Sequence, residues 1–347
     1  MKRKLIETLA SVGKPTEIWT GENGSSAILL PHGGRILGLF APQSEENFLW
    51  THPALASADT ARAFFESLAW HNPGGDRTWL SPEIDFFLPQ YPDISVYLQP
   101  REFDARPYDI CKCDGDLILK TSFRVKMSRS QASPEVRITK RIKSAPNPLR
   151  EQFDTKTASL EFAGYSLTTR LEILQNPASD RMNLWTLLQL PHGGEMIIST
   201  YSLSPVIRYF GNVETTELDI HERCIRYRMH AQGDHKLGIP ALTAAGRVGY
   251  IHESECTATL VVRNINVNPS ADYLDTPWSA PQTMGCAVQA CNVNGEWGTF
   301  SELEHHAPGV GGSSGPLESE DSSQVWAYRG SPDHVKHAAG ILLGTML

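Results

Sequence analysis

The sequence predicts an all-β protein, a large antiparallel β-sandwich with a few short helices. Three observations carry this. Apolar residues recur at every second position over long runs, Pro- and Gly-rich turn signals separate those runs, and helical periodicity is scarce. Alternation of this kind, apolar inward and polar outward, suits antiparallel sheets with one wet face.

In chain order, the first turn signal is Pro31-His32-Gly33-Gly34, which follows an apolar run and is echoed by Pro191-His192-Gly193-Gly194. Gly-Gly supplies the positive φ that tight reversals need. Four shared residues are too few to make a repeat. Residues 57–68 read as a helix capped by Ser57 or Asp59. A strand then places Leu117, Leu119, Thr121, Phe123, Val125 and Met127 on one face, with Lys120, Ser122, Arg124 and Lys126 on the other. Val136, Ile138 and Ile142 alternate with Arg137, Thr139, Arg141 and Lys143. Leu167, Leu171 and Ile173 alternate with Ser166, Thr168, Arg170 and Glu172, and Ala258, Leu260 and Val262 with Thr257, Thr259 and Arg263. Residues 307–323, rich in Gly, Ser and acids, read as a mobile surface loop. Ser331-Pro332-Asp333-His334 opens a last helix, reaching about residue 343, with Pro at its first position. No stretch has the character of a linker, so one domain is expected over 1–347.

Composition narrows the function classes. Apolar residues are 40% and charged residues 20% of the 347, so a large core needs no metal or disulfide staple. The net charge of -8 argues against nucleic acid and anionic membranes as partners. The one basic cluster, Arg137, Lys140, Arg141 and Lys143, falls on a strand pattern and reads as a solvated sheet face. Met1 to Glu7 is basic without an apolar signal core, and nothing approaches the roughly 20 apolar residues of a span. Cytoplasm is the expected location. The six cysteines show no zinc spacing and read as buried reduced thiols. No metal is expected, and no clustered calcium ligands appear. The sequence carries no signal of oligomeric state.

Four segments are candidates for chemistry. Trp70-His71-Asn72-Pro73-Gly74-Gly75-Asp76-Arg77-Thr78-Trp79-Leu80-Ser81-Pro82-Glu83 mixes aromatics, a His, an Arg and acids around a Gly-Gly turn. Sugar sites need that mixture, with aromatic faces for C–H surfaces and charged groups for hydroxyls. It is equally the mixture of a buried loop with an Asp76–Arg77 ion pair. Phe300-Ser301-Glu302-Leu303-Glu304-His305-His306-Ala307-Pro308, if a strand, puts Glu302 and Glu304 on one face, roughly 7 Å apart by strand rise, close enough for like charge to raise one pKa and so help a general base or acid. An acidic solvent face is the plainer account. His305 and His306 point apart and cannot share a metal. Asn183, Trp185 and Gln189 share an alternating face and line either a cleft or the core. Lys236, before a strand-like 247–252, is a donor to substrate or a surface lysine.

Phosphate-loop, dinucleotide, zinc-protease and nucleophile-elbow motifs are absent. The order of the segments resembles the galactose mutarotase-like superfamily, in an uncharacterised bacterial branch. Gly33-Gly34-Arg35-Ile36, the Gly74-Gly75 to Glu83 stretch, the Trp185 strand ending in Pro191-His192-Gly193-Gly194, and Glu302-Leu303-Glu304 before Pro308 carry it. The resemblance implies the family's β-sandwich and an aldose 1-epimerase type of isomerase that needs no cofactor. In it a glutamate takes the anomeric proton and a histidine protonates the ring oxygen. Carried over, Glu304 is the base, with Glu302 as its rival, and His71 is the acid. Arg77, Trp79, Glu83, Asn183, Trp185, Gln189 and Lys236 line the cleft. The partner is then a small carbohydrate, an aldose or sugar acid. The family's histidine stretches are not matched cleanly, and Trp185 stands about where a second histidine is expected. The alternatives are a carbohydrate-binding protein without catalysis and a glycan hydrolase or lyase.

Overall fold

The computed structural model describes residues 1–151, 154–175 and 180–345. Two ten-stranded sheets face each other. The first runs Glu17–Thr20, Ser26–Leu30, Arg35–Phe40, Asp76–Ser81, Arg181–Pro191, Gly298–His306, Cys286–Gly295, His235–Pro240, Ile207–Phe210, with Val310–Gly311 beside Arg181–Pro191. The second runs Leu218–Ile220, Cys224–Arg228, Glu195–Thr200, Ala244–Glu253, Ala258–Ile265, Glu318–Gly330, Glu161–Gln175, Glu135–Ser144, Asp116–Arg124, Asp109–Cys113. The expected antiparallel β-sandwich with short helices is the observed fold. The two sheets share one core, in which Ile36, Leu188 and Leu303 of the first meet Leu119, Ile138, Leu171 and Val325 of the second.

Both outer faces are partly covered by helices. Pro332–Leu343 packs Val335, Ala338, Ala339 and Leu342 on Ala258, Leu260 and Val262. Its start follows Ser331 with Pro at the first position, as the sequence predicts. Ala58–Glu66 is capped by the Ser57 hydroxyl, which accepts from the Thr60 amide at 3.3 Å. A helix the sequence did not announce, Lys2–Ser11, lays Leu9 against Ile28, Leu30 and Leu37.

This covering corrects several expectations. Arg263 points into the space between the sheets and is fully buried, because the helix takes the other face of its strand. Lys140 shares the inward parity of Val136, Ile138 and Ile142, and its ammonium donates to the Gly34 carbonyl at 2.8 Å. The basic cluster is therefore not wholly a solvated face. Glu318–Gly330 is a strand paired with Glu161–Gln175, so 307–323 is not one loop. Cys224, Cys286 and Cys291 are buried as expected, whereas Cys111, Cys113 and Cys256 are exposed. No helix among the described residues is long and apolar enough to cross a membrane.

Candidate functional site

The site lies on the face of the first sheet turned away from the second. Strand parity puts it there. Leu303 enters the shared core and His305 reaches Asp321 of the second sheet at 2.8 Å, so Glu302, Glu304 and His306 point the other way. Antiparallel register then lines residues up across the sheet. One row runs Phe210, Lys236, Cys291, Glu302, Gln189. The next runs Gly238, Gln289, Glu304, Leu187, Arg77. A third holds His306, Trp185 and Trp79.

The Gly74-Gly75 turn aims the Asp76–Ser81 strand. Gly75 has φ +80°, and a Cβ there would lie 2.3 Å from the Ile36 carbonyl oxygen, so only glycine fits. Its carbonyl accepts from the Gln189 amide at 3.0 Å, tying the turn to Arg181–Pro191. Asp76 and Arg77 thus take opposite faces and are not paired with each other. Asp76 joins Arg263 and Tyr165 between the sheets, and Arg77 binds Glu302 at 2.8 Å.

The contacts form one buried network. The Arg77 guanidinium lies 3.8 Å from the Trp79 ring centroid and also donates to Asn72 at 3.1 Å. Gln189 donates to Glu302 at 3.0 Å, and the Trp185 indole to Glu304 at 2.7 Å. The Lys236 ammonium sits 3.4 Å from both Glu83 and Glu304 and 3.9 Å from Asp275, over the Trp185 ring at 4.2 Å. Glu83 accepts from the Tyr97 hydroxyl at 3.0 Å and from the Trp278 indole at 2.9 Å. Asp275 accepts from the Glu83 amide and from Gln289, each at 2.8 Å.

Four carboxyls (Glu83, Asp275, Glu302, Glu304) thus meet two cations, Arg77 and Lys236. A dry site resolves such an excess by keeping protons. Burial pushes Glu304 up to about 8, with Lys236 opposing and Glu302 reinforcing the shift. Glu302 and Glu83 are also raised, burial again first and Arg77 or Lys236 opposing. For Lys236 burial pulls downward, but Glu304, Glu83 and Asp275 outweigh it and hold the ammonium charged. Burial keeps His306 neutral, well below its ordinary value. The Cys291 sulfur and one oxygen each of Glu302 and Glu304 lie within 4.8 Å of one another. That trio does not suit a resident cation, because Lys236 already serves Glu304 and Arg77 serves Glu302.

Most of the residues singled out in the sequence meet here. Glu302, Glu304, Arg77, Trp79, Glu83, Trp185 and Lys236 line a small cavity of about 30 Å³, with Trp70, Gln99, Phe210, Cys291 and Trp297 among the others. Gln189 holds Glu302 from the side. Asn183 lies behind, donating to the His306 ring at 3.1 Å, and is not at the cavity wall. His71 is not brought to Glu304. It hydrogen-bonds the Ser67 carbonyl at 2.9 Å and packs on Phe64 and Phe65, lining a different hollow. The carboxylate pair is buried rather than a solvent face, and Lys236 is buried rather than a surface lysine. Periodicity does not mark Asp275, Tyr97 and Trp278, because each lies outside the helices and strands. The Asp275-Thr276-Pro277-Trp278 grouping of acid and aromatic around a proline was the available signal.

A two-sheet antiparallel sandwich with a buried, carboxyl-rich and tryptophan-lined cleft is the class that fold and site define. The chain belongs to the Family of unknown function (DUF6786), whose model matches residues 65–316. No curated protein matches it. Among solved structures, the chain is similar to a galactose mutarotase related enzyme from Lactobacillus acidophilus, at 9% identity and TM-score 0.48, covering 92% of this chain and 98% of that one. It is similar to galactose 1-epimerase from Lactobacillus acidophilus NCFM at 9% identity and TM-score 0.42, covering 91% and 94%. It is also similar to a GalM/aldose epimerase homologue from C. elegans at 8% identity and TM-score 0.39, covering 92% and 99%.

Proposed function

We propose that the cleft takes the anomeric end of a neutral aldose and interconverts its anomers by proton transfer between Glu302 and Glu304. The observation that carries this reading is the approach of the two buried carboxyls, oxygen to oxygen, within 4.8 Å. Ring opening moves two protons, one off O1 and one onto O5. A base takes the proton of the anomeric hydroxyl, the C1–O1 double bond forms, the C1–O5 bond breaks, and an acid protonates O5. Both oxygens sit on one carbon, so side-by-side carboxyls can serve one each.

The surroundings favour a division of labour that reverses the sequence expectation. Glu304, pushed up to about 8, holds a proton at neutral pH and acts as the acid. Glu302, paired with Arg77 and Gln189, is the better carboxylate and acts as the base. His71 has no part in this step. Lys236, held between Glu83 and Glu304 at 3.4 Å but with no well-aligned hydrogen bond among the described residues, keeps a proton for a substrate hydroxyl. Trp297 and Phe210, which line the cavity and are only half-buried, offer aromatic surface to the C–H side of the ring. The excess of carboxyls over cations disfavours a sugar acid and selects a neutral ring.

Ligand sites usually span roughly 300 Å³ or more, so the 30 Å³ cavity must widen for a pyranose to enter. Tyr97 and Trp278, stacked at 5.4 Å, and Tyr97 and Trp297, at 5.5 Å, form the aromatic cover that has to part. The test is anomer exchange followed by NMR over a panel of neutral aldoses and uronic acids. Wild type should accelerate exchange of a neutral aldose. Glu302→Gln and Glu304→Gln should each lose about 10²–10⁴-fold, the usual worth of a proton-transfer group. Absence of acceleration on every aldose would sink the reading. Tight binding without exchange would leave a binding protein, and release of new reducing ends from glycosides would assign hydrolysis.

A further inference from the structure

A second, open hollow of about 460 Å³ lies beside the small cavity. Trp70 and Gln99 line both, so one indole and one amide form the partition. We infer that this hollow is the outer half of a two-part carbohydrate site. It would hold the sugar residue attached to the one whose anomeric carbon reaches Glu302 and Glu304, making the preferred substrate a neutral reducing disaccharide or longer glycan. The inference rests on the proposed reading of the inner cleft.

Size points first in this direction. The outer hollow falls within the usual range for ligand sites and the inner cavity far below it. Chemistry agrees. The outer wall combines the Trp70 face with polar groups from His32, His71, Gln99 and Arg101. The buried His32 Nε2 has no hydrogen-bond partner among the described residues. Burial first, and Lys14 next, hold that imidazole down to about 4, so it meets a hydroxyl as a neutral group. Leu68 and Leu98 also line the hollow, 91% and 56% exposed, and large aliphatic groups left in water suit the C–H edge of a pyranose.

The partition is built to be shared. Trp70 donates its indole N–H to Asp104, which also binds Arg35 at 2.5 Å and Trp79 at 2.9 Å. Its ring stands 5.2 Å from the Arg77 guanidinium carbon on the inner side. One carboxylate therefore anchors the dividing indole to both walls. Residues 67–73 and 92–100, which carry Trp70 and Gln99, lie outside helices and strands, so a shift of the partition breaks no sheet pairing. The Arg101 guanidinium joins the two segments by donating to the Leu68 carbonyl at 3.3 Å.

The experiment compares anomer exchange of neutral aldoses with that of their reducing disaccharides, in wild type, Arg101→Ala and Leu98→Ala. The expected result is a disaccharide rate constant about tenfold above that of the monosaccharide, the worth of one good stacking or hydrogen-bonding contact. In either variant the disaccharide-to-monosaccharide ratio should fall towards one. Both side chains are exposed at the hollow, and thermal melts check that each variant is folded. Equal rates for monosaccharides and disaccharides in wild type would overturn the inference while leaving the inner cleft's function standing. So would a ratio unchanged in both variants. Failure of every sugar to exchange or bind would remove the inner reading and this one with it.

Discussion

Glu304 shows most directly how placement alone converts an ordinary side chain. In water a glutamic acid loses its proton near pH 4.3. Here burial, with Glu302 close by, holds the proton to about pH 8. The native state therefore binds a proton that the unfolded chain has released, and stability must fall as pH rises through that interval. Several histidines, among them His32, His52 and His71, are held low by burial and work in the opposite sense, but only up to about pH 6.5. Between about pH 6.5 and 8 Glu304 contributes a fall of up to about 1.4 kcal/mol per pH unit, with Glu302 and Glu83, also raised by burial, acting in the same sense and Lys140, pulled down to about 8, opposing towards the upper end. Glu304→Gln, which cannot ionise, should lessen the fall of the melting temperature across this window. A wild-type melting temperature that holds or rises from pH 6.5 to 8 would show that Glu304 is ionised in the native protein.

At the scale of elements, the strand after the Gly74-Gly75 turn decides what reaches the cleft. Gly75→Ala would place a methyl against the Ile36 carbonyl and force an alanine to φ +80°. Strain of this kind costs about 1–3 kcal/mol in the backbone alone, and the contact adds to it. The melting temperature should drop by several degrees, and sugar exchange should fall further than stability, because Arg77 two residues on loses its registration with Glu302. A variant as stable and active as wild type would mean that the turn relaxes freely. The strands themselves were legible in the sequence. Alternation placed Leu117 to Met127 inward and put Glu302 and Glu304 on one face. It did not say what lay over that face. Whether Glu304 met water or Lys236 depended on a strand about seventy residues earlier, and no local pattern encodes that distance. Arg263 departs from the outward face that alternation predicts for the same reason. The helix that covers the other side of its strand comes about seventy residues later.

For the whole molecule, the two sheets are joined by polar groups as well as by a hydrophobic core. Asp76 of the first sheet accepts from Arg263 and from Tyr165 of the second, the latter at 2.6 Å, all three buried. Lys140, also buried, is pulled down to about 8 by burial while Asp76 works to keep it charged. One carboxylate thus compensates two cations between the sheets. Asp76→Asn should cost about 3–5 kcal/mol, the range for a buried pair broken on one side. Much of that loss is the stranded Arg263, whose Nε and Nη1 already lack hydrogen-bond partners among the described residues. Arg263→Met alone should cost less, since Asp76 keeps Tyr165 and Lys140. The double variant Asp76→Asn/Arg263→Met should recover most of the single Asp76→Asn loss, as the Asn still accepts from Tyr165 and no guanidinium is left unpaired. Urea denaturation of the four proteins reads this directly. Additive losses would show that the two groups act independently. Recovery in the double variant would show that Asp76 and Arg263 act as one coupled pair, whose cost when broken lies in the partner left behind.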